Sequence, residues 1–482
     1  MYPKQQTFLI FGLSRSGTAA AKFLLSKGAA VYVYDDIESA RVEKERKSLE
    51  DLGAKRVEKE GVEGLAETCD ALVLSPGIPI DHPVAVVFKK AGKCVVGESE
   101  LAARYLQGDV IAVTGTNGKT TTVSMLTQVL QKGGLDAQAC GNIGTPMLTL
   151  YPMQEGQVAV AEISSFQMET LNSLRPHIAM VLNVTEDHLN RHYNMENYVF
   201  LKRKLLKNLT EAEFAVLNYD DPIVRSFAEK TKAKTLYFSV REKVNGGYYE
   251  DGNLCFANEK ILALSDLPTG GIHNVQNALA TITAAKIMGI SSQDIAAALT
   301  DFKGIKHRVE FVLEDAGVRY VDDSKGTNVD ATLKAVAAID AEIVLLLGGK
   351  DKGYDYDKLF NGLKGGKVSH AILYGENRFK LLDGARRKEF LNITVCDTFS
   401  FAVRIARLKA TRGQTVLLSP ASASFDEFAN YEERGEKFVE IIRSFTQEEN
   451  AETGASGENG ECEGGLATDA NDGGENAPLK AE

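Results

Sequence analysis

Short apolar runs and helical stretches alternate along the first part of the chain. TFLIFGL and AVYVYDD are rich in β-branched and aromatic residues, which is typical of buried strands, and GTAAAKFLLSKGA between them is typical of a helix that ends at a glycine. ALVLSPGI and CVVGES repeat the strand pattern farther along. Strand, helix and strand at this spacing predict a parallel sheet with crossover helices, and we place this first domain at residues 1–97.

The same alternation continues in a second segment, which we place at residues 98–304. DVIAVTG predicts a buried strand that leads into a helix beginning near Lys119, and VAVAEISSF and HIAMVLNVTEDH predict two further strands. One face of the helix is apolar and carries Val123, Leu126, Val129 and Leu130. The two later strands end at Glu162 and at the pair Asp187 and His188. Because ligands of open parallel sheets bind at the carboxyl ends of strands, we expect these polar groups beside Lys119.

A third segment, residues 305–446, supplies four more predicted strands, each followed by a polar loop rich in glycine or serine. They lie in RYVDDSKGTN, EIVLLLGGKDKG, HAILYGEN and QTVLLSPASASFDEF. This pattern predicts a doubly wound sheet whose functional loops gather at one edge. The expected fold class is therefore α/β in three domains: a Rossmann-like N-terminal domain, a central P-loop-type ATP-binding domain and a Rossmann-like C-terminal domain.

Residues 447–482 differ in composition from the rest of the chain. They contain ten acidic residues and one lysine, so most of the net charge of −11 lies there, and they include few aliphatic residues. Such a segment cannot bury enough apolar surface to offset the loss of conformational entropy on ordering, and we expect a disordered acidic tail. The remaining chain is close to neutral, so nucleic acid is not expected as a partner.

Cysteine usage and hydropathy favour a protein of the reducing cytoplasm. The six cysteines are scattered and form no C-x-x-C pair, which argues against a disulfide framework or a cysteine zinc site. No apolar run approaches the roughly 20 residues of a membrane helix, so no membrane partner is expected. MYPKQQTFLIFGL leads directly into a strand, without the layout of a signal peptide.

The stretch VIAVTGTNGKTTT, residues 110–122, is similar to a P-loop, G-x-x-x-x-G-K-[ST], but its first glycine is three residues before the second instead of five. Backbone N–H groups at a helix start would surround phosphate oxygens, Lys119 would neutralise the β- and γ-phosphates, and the Thr120 hydroxyl would bind Mg²⁺. The candidate ATP-binding residues of the loop are Gly115, Thr116, Asn117, Gly118, Lys119, Thr120 and Thr121. A strand-to-helix turn with an exposed lysine is the alternative interpretation.

The first predicted strand is followed by the turn GLSRSG, residues 12–17, in which serine replaces the middle glycine of the dinucleotide-binding motif G-x-G-x-x-G. Asp35 ends the second strand, about where an acid that binds ribose would lie. Three interpretations stay open: an NAD site, a tight turn between strand and helix, and a site for another nucleotide.

Two histidines and one carboxylate are further candidates for a metal site. His188 and His192 form an H-x-x-x-H pair that could bind zinc on a helix, but no nearby acid and third ligand complete such a site. We interpret His188 as a ligand or positioning group beside the phosphate loop and His192 as an ordinary surface residue. Glu162 could supply a second hard oxygen ligand for Mg²⁺.

Nine segments of the chain resemble, in the same order, those of the Mur ligases, ATP-dependent amide-forming enzymes of peptidoglycan precursor synthesis. The segments are TGTNGKTTT, GNIGTP, EISSFQMET, NVTEDHLNRH, HNVQNALAT, HRVE, DDSKGTN, LLLGGKDKG and LLSPASASFDEF. The resemblance extends from the first glycine-rich turn to about residue 446, and T-G-T-N-G-K-[ST] is the family's own form of the P-loop. SSFQ, DSKGTN and HRVE resemble the members that add D-glutamate to UDP-N-acetylmuramoyl-L-alanine.

The resemblance implies a mechanism and a metal site. ATP would phosphorylate the L-alanyl carboxylate, and the amine of D-glutamate would attack the acyl phosphate and expel phosphate. Lys119 would act on the phosphates, and Mg²⁺ would be held by Thr120, Glu162, His188 and a carbamylated lysine. Position within YVFLKRKLL identifies that lysine as Lys202, with Lys204 as the alternative.

The resemblance also implies substrate-binding residues. ATP would be bound by Asn274 and Asn277 at the adenine, by Asp323 at the ribose, and by Arg308 and Lys325. D-Glutamate would be bound by Lys352, Thr327, Ser424 and the backbone near Tyr431, and the UDP moiety by Ser14, Arg15, Asp35 and Asn142. Gly326 and Tyr431 stand where the family more often has alanine and phenylalanine.

Other function classes stay open. Another amide ligase on the same frame, such as a sister Mur ligase or a folylpolyglutamate synthetase-like enzyme, shares the central loop, although the latter lacks a UDP-binding first domain. An NAD-dependent oxidoreductase would explain the turn at 12–17 but not the central and third-domain loops. A non-catalytic nucleotide-binding scaffold is a further alternative, but it would give no role to Lys119, Glu162, His188 and Lys202. We expect a monomer acting on UDP-N-acetylmuramoyl-L-alanine, D-glutamate and ATP.

Overall fold

The computed structural model describes residues 5–268, 271–351 and 353–454. Its strands form three sheets, one in each of the three segments. Helices surround these mostly parallel sheets, which confirms the expected α/β fold in three domains. Within the ranges given, no helix combines the length and the hydropathy of a membrane span.

The first sheet has five parallel strands in the order β3-β2-β1-β4-β5. The strands are β1 Thr7–Phe11, β2 Ala30–Tyr34, β3 Lys55–Arg56, β4 Ala71–Leu74 and β5 Cys94–Val96. The helices are α1 Arg15–Ser26, α2 Ala40–Glu50, α3 Lys59–Val62, α4 Leu65–Thr68 and α5 Pro83–Lys90. The glycine-rich turn joins β1 directly to α1, so it lies at the carboxyl edge of the sheet.

The central sheet has nine strands in the order β14-β13-β12-β11-β10-β9-β6-β8-β7, and the two pairs at the β14 edge are antiparallel. The strands are β6 Asp109–Thr114, β7 Asp136–Gly141, β8 Gln157–Glu162, β9 Ile178–Val181, β10 Phe214–Asn218, β11 Lys234–Ser239, β12 Gly246–Glu250, β13 Asn253–Phe256 and β14 Glu259–Ala263. The α-helices are α6 Glu98–Tyr105, α7 Lys119–Lys132, α8 Ser165–Thr170, α9 Leu189–His192, α10 Met195–Arg203, α11 Pro222–Arg225, α12 Ile272–Ile287 and α13 Ser292–Thr300. Because β6 lies between β8 and β9, the ends of all three strands meet beside α7.

The third sheet has six strands in the order β15-β16-β20-β17-β18-β19, in which β15 and β16 pair antiparallel and the other pairs are parallel. The strands are β15 Glu310–Asp315, β16 Val318–Asp322, β17 Ile343–Gly348, β18 Val368–Tyr374, β19 Ile393–Val395 and β20 Thr415–Leu418. The helices are α14 Val329–Ala337, α15 Asp357–Leu363, α16 Arg378–Arg387, α17 Phe399–Lys409 and α18 Tyr431–Gly454.

The last helix, α18, continues past position 446 into the segment expected to be a disordered tail. The stretch QEENAE is rich in glutamate, glutamine and alanine, which have high helix propensity, and this explains the extension. The rest of the expected tail, residues 455–482, lies outside the described residues.

Apolar packing joins the first two domains. One cluster of buried residues includes Phe8 and Leu24 of the first domain, Leu101 of α6, and Ala161 and Tyr198 of the central domain. The third domain packs around two clusters of its own, one on each face of its sheet. The domain boundaries at residues 97/98 and 304/305 stay predictions, because a shared core does not mark where one domain ends.

Candidate active site

The phosphate loop connects β6 to α7 and is held by the segment that follows β9. Oδ1 of Asn183 accepts the Asn117 N–H at 2.8 Å, and its Nδ2 donates to the Asn117 carbonyl at 3.0 Å. The Thr116 N–H donates to the Asn183 carbonyl at 2.9 Å, and the Thr116 hydroxyl donates to the Thr185 carbonyl at 3.0 Å. Protein contacts therefore set the loop conformation, and the N-terminus of α7 at its end favours an anion.

The second glycine of the loop, Gly118, is required by its conformation and its surroundings. Its φ of +84° is one that L side chains rarely adopt, and a Cβ there would lie 2.4 Å from Oδ1 of Asn277. Asn277 on α12 also accepts the Thr122 hydroxyl at 3.3 Å and donates Nδ2 to Oδ1 of Asn274 at 3.4 Å. The two asparagines predicted at the adenine thus lie together, beside the loop.

The loop lysine, Lys119, is turned back onto the loop. Its Nζ donates to the carbonyls of Gly115 and Thr116 at 2.9 and 2.8 Å. Burial lowers the pKa of Lys119, and the negative charge of Glu162 opposes that effect. A lysine amine held this close to the loop backbone is placed to neutralise phosphate charge, as transfer of a phosphoryl group requires.

The carboxylate of Glu162, at the end of β8, lies beside the loop as predicted. Oε2 accepts the Thr120 hydroxyl at 2.8 Å, and Oε1 accepts Nδ2 of Asn142 at 2.8 Å. Burial alone would raise the pKa of Glu162, but the charges of Lys119 and Lys325 and the two hydrogen bonds outweigh it, so the pKa lies below its usual value. Glu162 is therefore an ionised carboxylate next to a hydroxyl, which is the kind of oxygen donor set that Mg²⁺ prefers.

The two lysines that were alternatives for carbamylation differ in position. Lys202 of α10 is 1% exposed, and its Nζ donates to the Gly115 carbonyl at 2.7 Å. Burial, and then repulsion from Lys119, lower the pKa of Lys202 well below that of an ordinary lysine. Lys204 instead donates to the Met168 carbonyl at 2.7 Å. Of the two, Lys202 is the one beside the phosphate loop.

The histidines of the H-x-x-x-H pair have different surroundings. His188 precedes α9 with a φ of +54°, and its Nε2 lies 3.5 Å from the carboxylate of Asp187. His192 is 3% exposed, and its Nε2 lies 3.0 Å from the Ser165 hydroxyl. The prediction that His192 is an ordinary surface residue is therefore wrong, because the single turn of α9 directs its ring against α8. Burial lowers the pKa of His192 to about 4.

Residues of the third domain complete a cleft above the phosphate loop. Arg308, Asp323 and Lys325 line this cleft together with Asn117 and Gly118 of the loop and with Asn277. Burial lowers the pKa of Lys325 to about 8. The structure thus brings the predicted ATP-binding residues of two domains into one place.

Asp323, predicted at the ribose, is buried at the end of β16. Burial raises its pKa to about 7, against the opposing effect of a hydrogen bond from the Ser419 hydroxyl at 2.6 Å. A Cβ at Gly326 would lie 2.3 Å from Oδ2 of Asp323. Glycine at this position therefore leaves room for this orientation of the carboxylate.

The residues predicted to bind D-glutamate lie on loops of the third domain. Thr327 follows β16, and Ser424 is buried in the loop after β20. Tyr431 begins α18, and its hydroxyl accepts a hydrogen bond from Nζ of Lys325 at 3.0 Å. Lys352 lies outside the described residues, so its place beside the other three stays a prediction.

The residues predicted to bind the UDP moiety lie at the junction of the first two domains. Asp35 accepts a backbone N–H of the glycine-rich turn at 2.6 Å, and Ser14, the residue before α1, donates its hydroxyl to that of Ser75 at 3.2 Å. Arg15 donates to the Gly144 carbonyl of the central domain at 3.2 Å. Asn142 stands in the same GNIG segment and bonds to Glu162, so this segment connects the predicted UDP site with the phosphate loop.

One buried arginine was missed in the sequence. Arg434 of α18 is fully buried and donates to the hydroxyl and carbonyl of Ser324, at 2.9 and 2.7 Å, and to the Ser422 carbonyl at 3.2 Å. It thereby joins the loop after β16 to the loop after β20. Because α18 is rich in charged residues, the sequence alone suggests that Arg434 is exposed to solvent. The signal available in the sequence was the next residue, Gly435, because a glycine inside a helix often marks close packing. In the structure a Cβ at Gly435 would lie 2.1 Å from Nδ1 of His307.

Comparison with known proteins identifies the family. Three family profiles match: the Mur ligase MurD-like N-terminal domain over residues 6–97, the Mur ligase middle domain over 113–285 and the Mur ligase glutamate ligase domain over 307–422. The UDP-N-acetylmuramoylalanine–D-glutamate ligase of Pelotomaculum thermopropionicum is 40% identical over 446 residues, covering 90% of this chain and 97% of that protein. The chain belongs to the Mur ligase family. Membership confirms the resemblance carried by the nine segments.

A further relative agrees with this assignment to the Mur ligases, and solved structures share the fold. The ligase of the same name from Clostridioides difficile is 38% identical over 450 residues, covering 92% of this chain and 99% of that protein. The UDP-N-acetylmuramate–alanine ligase of Thermotoga maritima has a TM-score of 0.60 at 17% identity and covers 91% of this chain and 99% of its own. A MurF ligase of Thermotoga maritima in complex with ADP has a TM-score of 0.59 at 17% identity, with 92% and 96% covered. The two structures confirm the fold.

Proposed function

We propose that this Mur ligase catalyses the ATP-dependent addition of D-glutamate to UDP-N-acetylmuramoyl-L-alanine, a step of peptidoglycan precursor synthesis. The observation that carries the proposal is the cleft in which the phosphate loop meets Arg308, Asp323 and Lys325 of the third domain. It occurs in a chain about 40% identical, over nearly its whole length, to curated ligases of that name.

The proposed reaction has two steps. The L-alanyl carboxylate attacks the γ-phosphorus of ATP, which forms an acyl phosphate and releases ADP. The amine of D-glutamate then attacks the acyl carbon, and the tetrahedral intermediate expels inorganic phosphate as the C–N bond forms and the nitrogen loses a proton. Activation is needed because a carboxylate is a poor electrophile, and phosphorylation converts one of its oxygens into a leaving group.

The central domain would bind the triphosphate. Lys119 and the backbone N–H groups at the start of α7 would neutralise and orient the phosphates. Asn274 and Asn277, which lie together on α12 beside the loop, would contact the adenine. Asp323 would accept a ribose hydroxyl from the third-domain side of the cleft. ATP would therefore lie between two domains, which suits a site that closes around its substrate.

The same site fits Mg²⁺. The Thr120 hydroxyl and the ionised Glu162 carboxylate are hard oxygen donors 2.8 Å apart, and His188 lies at the start of α9, in the segment that follows β9. Bound there, Mg²⁺ would neutralise charge on the phosphates. Lys202 as an ammonium would repel such a cation. Its lowered pKa instead favours the neutral amine, which can add CO₂ and release a proton to become an anionic carbamate.

Carbamylation of Lys202 is testable by ¹³C NMR of enzyme equilibrated with ¹³C-bicarbonate. We expect a carbamate resonance in the wild-type protein that disappears in Lys202→Arg. Lys204→Arg is the matched control, because its amine bonds to the Met168 carbonyl instead of to the loop, and it should keep the resonance. A resonance that survives the first substitution and is lost with the second would reassign the modified lysine.

The remaining substrates would lie on either side of this centre. Thr327, Lys352, Ser424 and Tyr431 would hold D-glutamate, and Ser14, Arg15, Asp35 and Asn142 would hold the UDP moiety. Both substrates are small soluble molecules of the cytoplasm, where we expect the enzyme to act as a monomer. Since these binding residues are distributed over all three domains, all three domains would be needed for one turnover.

Phosphate release from ATP tests the proposed function directly. Purified enzyme is given UDP-N-acetylmuramoyl-L-alanine together with D-glutamate, L-glutamate or a diamino acid, and, in a separate arm, a folate acceptor with L-glutamate. We expect release only with the nucleotide-sugar substrate and D-glutamate. Release with another amino acid would indicate a sister ligase, release with folate would indicate the synthetase-like alternative, and no release in any arm would refute the proposal.

A further inference from the structure

The loop between β17 and α15, which is described at residues 349–351 and 353–356, is fixed to the third domain near both ends. At its start the Lys350 N–H donates to the Ala423 carbonyl at 2.8 Å. At its end the Tyr356 hydroxyl accepts Nδ2 of Asn377 at 2.6 Å. Between these two attachments Tyr354 crosses to the central domain, where its hydroxyl donates to Oδ1 of Asp187 at 2.9 Å.

A second contact from the third domain reaches the same carboxylate. Nδ2 of Asn328 lies 3.3 Å from Oδ2 of Asp187, so donors of the third domain contact both oxygens of a side chain that is 6% exposed. Burial, and then the charge of Asp187, raise the pKa of Tyr354. The Tyr354 hydroxyl and the Asn328 amide are thus two donors of the third domain on one buried carboxylate, and hydrogen bonds to a carboxylate are stronger than those between neutral groups.

These contacts involve the segments that the proposed function assigns to the amino-acid substrate. Asn328 directly follows Thr327, and Tyr354 stands two residues after Lys352. On the other side, Asp187 directly precedes His188 in the central domain. The hydrogen bond from Tyr354 is thus the point at which the loop expected to bind D-glutamate is attached to the domain that would hold the acyl phosphate.

We propose that Tyr354 is a positioning residue for the amino-acid substrate. Its hydroxyl holds the 349–356 loop against Asp187, so that the amine of the incoming amino acid is presented to the activated carboxyl group. This inference rests on the proposed function and adds to it a residue that need not touch any substrate. The ATP-binding residues belong to other loops, so the effect of losing the hydroxyl should concentrate on the amino acid.

The variant Tyr354→Phe removes one oxygen atom and keeps the ring. We expect the KM for D-glutamate to rise about tenfold, as for loss of a hydrogen bond to a charged group, while the KM values for ATP and the nucleotide-sugar change less than twofold. Tyr248→Phe is the matched control, since this tyrosine is also buried but its hydroxyl bonds to Asn258 within the central domain, away from this loop. That control should lower the melting temperature without separating the three KM values.

Asn328→Ser provides a second, independent variant. Serine can still cap α14, where Oδ1 of Asn328 now accepts the Ala331 N–H, but it lacks the donor to Asp187. We expect a smaller rise in the same KM. An unchanged KM for D-glutamate in Tyr354→Phe, or an equal rise for all three substrates, would overturn the positioning role. Wild-type enzyme that hydrolyses no ATP with D-glutamate would instead refute the proposed function.

Discussion

The two junctions of the central domain are built from different kinds of contact. Toward the first domain, buried apolar side chains form one continuous cluster, including Leu24 of α1 and Leu101 of α6. Toward the third domain, the apolar clusters in the described residues stop at the domain's own sheet, and polar side chains make the bridge. Asn117 donates to Asp330, and Asp187 accepts from Tyr354.

This difference predicts which domain moves. Opening the apolar junction would expose its buried side chains to water, at a free-energy cost that grows with the apolar area exposed. The first two domains should therefore stay together. Polar groups find hydrogen bonds in water as well, so opening the other junction costs little net free energy. We therefore expect the third domain to close when ATP and the nucleotide-sugar bind, and the chain to become more compact in small-angle scattering.

The largest effect is expected at the polar junction, where the proposed reaction would take place. Lys119→Ala should reduce turnover at least about a thousandfold, because charge on the transferred phosphoryl group would no longer be neutralised. Lys132→Ala, an exposed lysine at the other end of α7, is the control and should keep normal turnover. A Lys119 variant with a near-normal rate would remove the phosphate loop from the mechanism.

Breaking the apolar junction should affect folding more than catalysis. Leu101→Ala deletes a side chain that is 3% exposed in the shared cluster, and we expect the free energy of unfolding to fall by about 2–5 kcal/mol. Chemical denaturation measures the change. The KM for ATP should stay within about twofold of the wild-type value, because the nucleotide cleft lies at the other junction. A selective change in that KM would show that the junctions are coupled.

An acid buried in the apolar junction makes its stability depend on pH. Glu98 is 3% exposed and accepts the Leu148 N–H at 2.6 Å, and burial raises its pKa from 4.5 to about 7. With the pKa raised in the folded state, the stability it contributes is present below about pH 4.5 and is lost as the pH rises through 7. Glu98→Gln, neutral at every pH, should match the wild type at pH 5 and be more stable at pH 8, by up to about 3 kcal/mol.

Glu100 offers the opposite case two residues along the same helix. Burial alone would raise its pKa, but the N–H groups of Asn172 and Ser173 and the side chain of Arg104 bring it below the usual value. Glu100→Gln should therefore destabilise the protein at pH 8. Melting temperatures of both variants between pH 5 and 8 separate the two signs. If Glu98→Gln, like Glu100→Gln, lowered the melting temperature at pH 8, the predicted effect of the buried Glu98 carboxylate would be wrong.

The sequence predicted best where a strand is a pure apolar run followed by a polar loop. β1, β6, β8 and β17 have this form, and Thr120, which lies in the loop-to-helix segment after β6, meets Glu162 at the end of β8 at 2.8 Å as expected. The strands that were not predicted are the short β3 and β19, the strands β7, β10, β11 and β15, and the hairpin strands β12 to β14. GGYYE in β12 carries two glycines, and DAQACG in β7 has polar positions, so neither shows the pattern of apolar residues typical of a strand. Pairing with neighbouring strands stabilises both of them.

Contacts between domains were beyond what motifs could predict. His192 was placed at the surface because one turn of helix has no periodicity that shows which face is buried. Tyr354 and Asp330 were not singled out, since each is an ordinary residue until the fold sets it beside Asp187 or Asn117. Arg434 was not singled out in the sequence for the same reason. Family motifs predicted groups that would act on substrates, whereas the groups that hold them in place follow only from the three-dimensional structure.

The smallest predicted effect tests the polar junction at a single carboxylate. Asp330, in the first turn of α14, accepts Nδ2 of Asn117 at 2.5 Å and forms an ion pair with Lys334 at 2.9 Å. Asp330→Ala should raise the KM for ATP about threefold to fivefold, because one partly exposed hydrogen bond contributes about 1 kcal/mol. Asp294→Ala removes a first-turn acid from α13 without touching the phosphate loop, so it controls for the helix terminus. Equal KM values for the two variants would mean that the contact with Asn117 does not hold the loop and that the junction depends on other polar pairs.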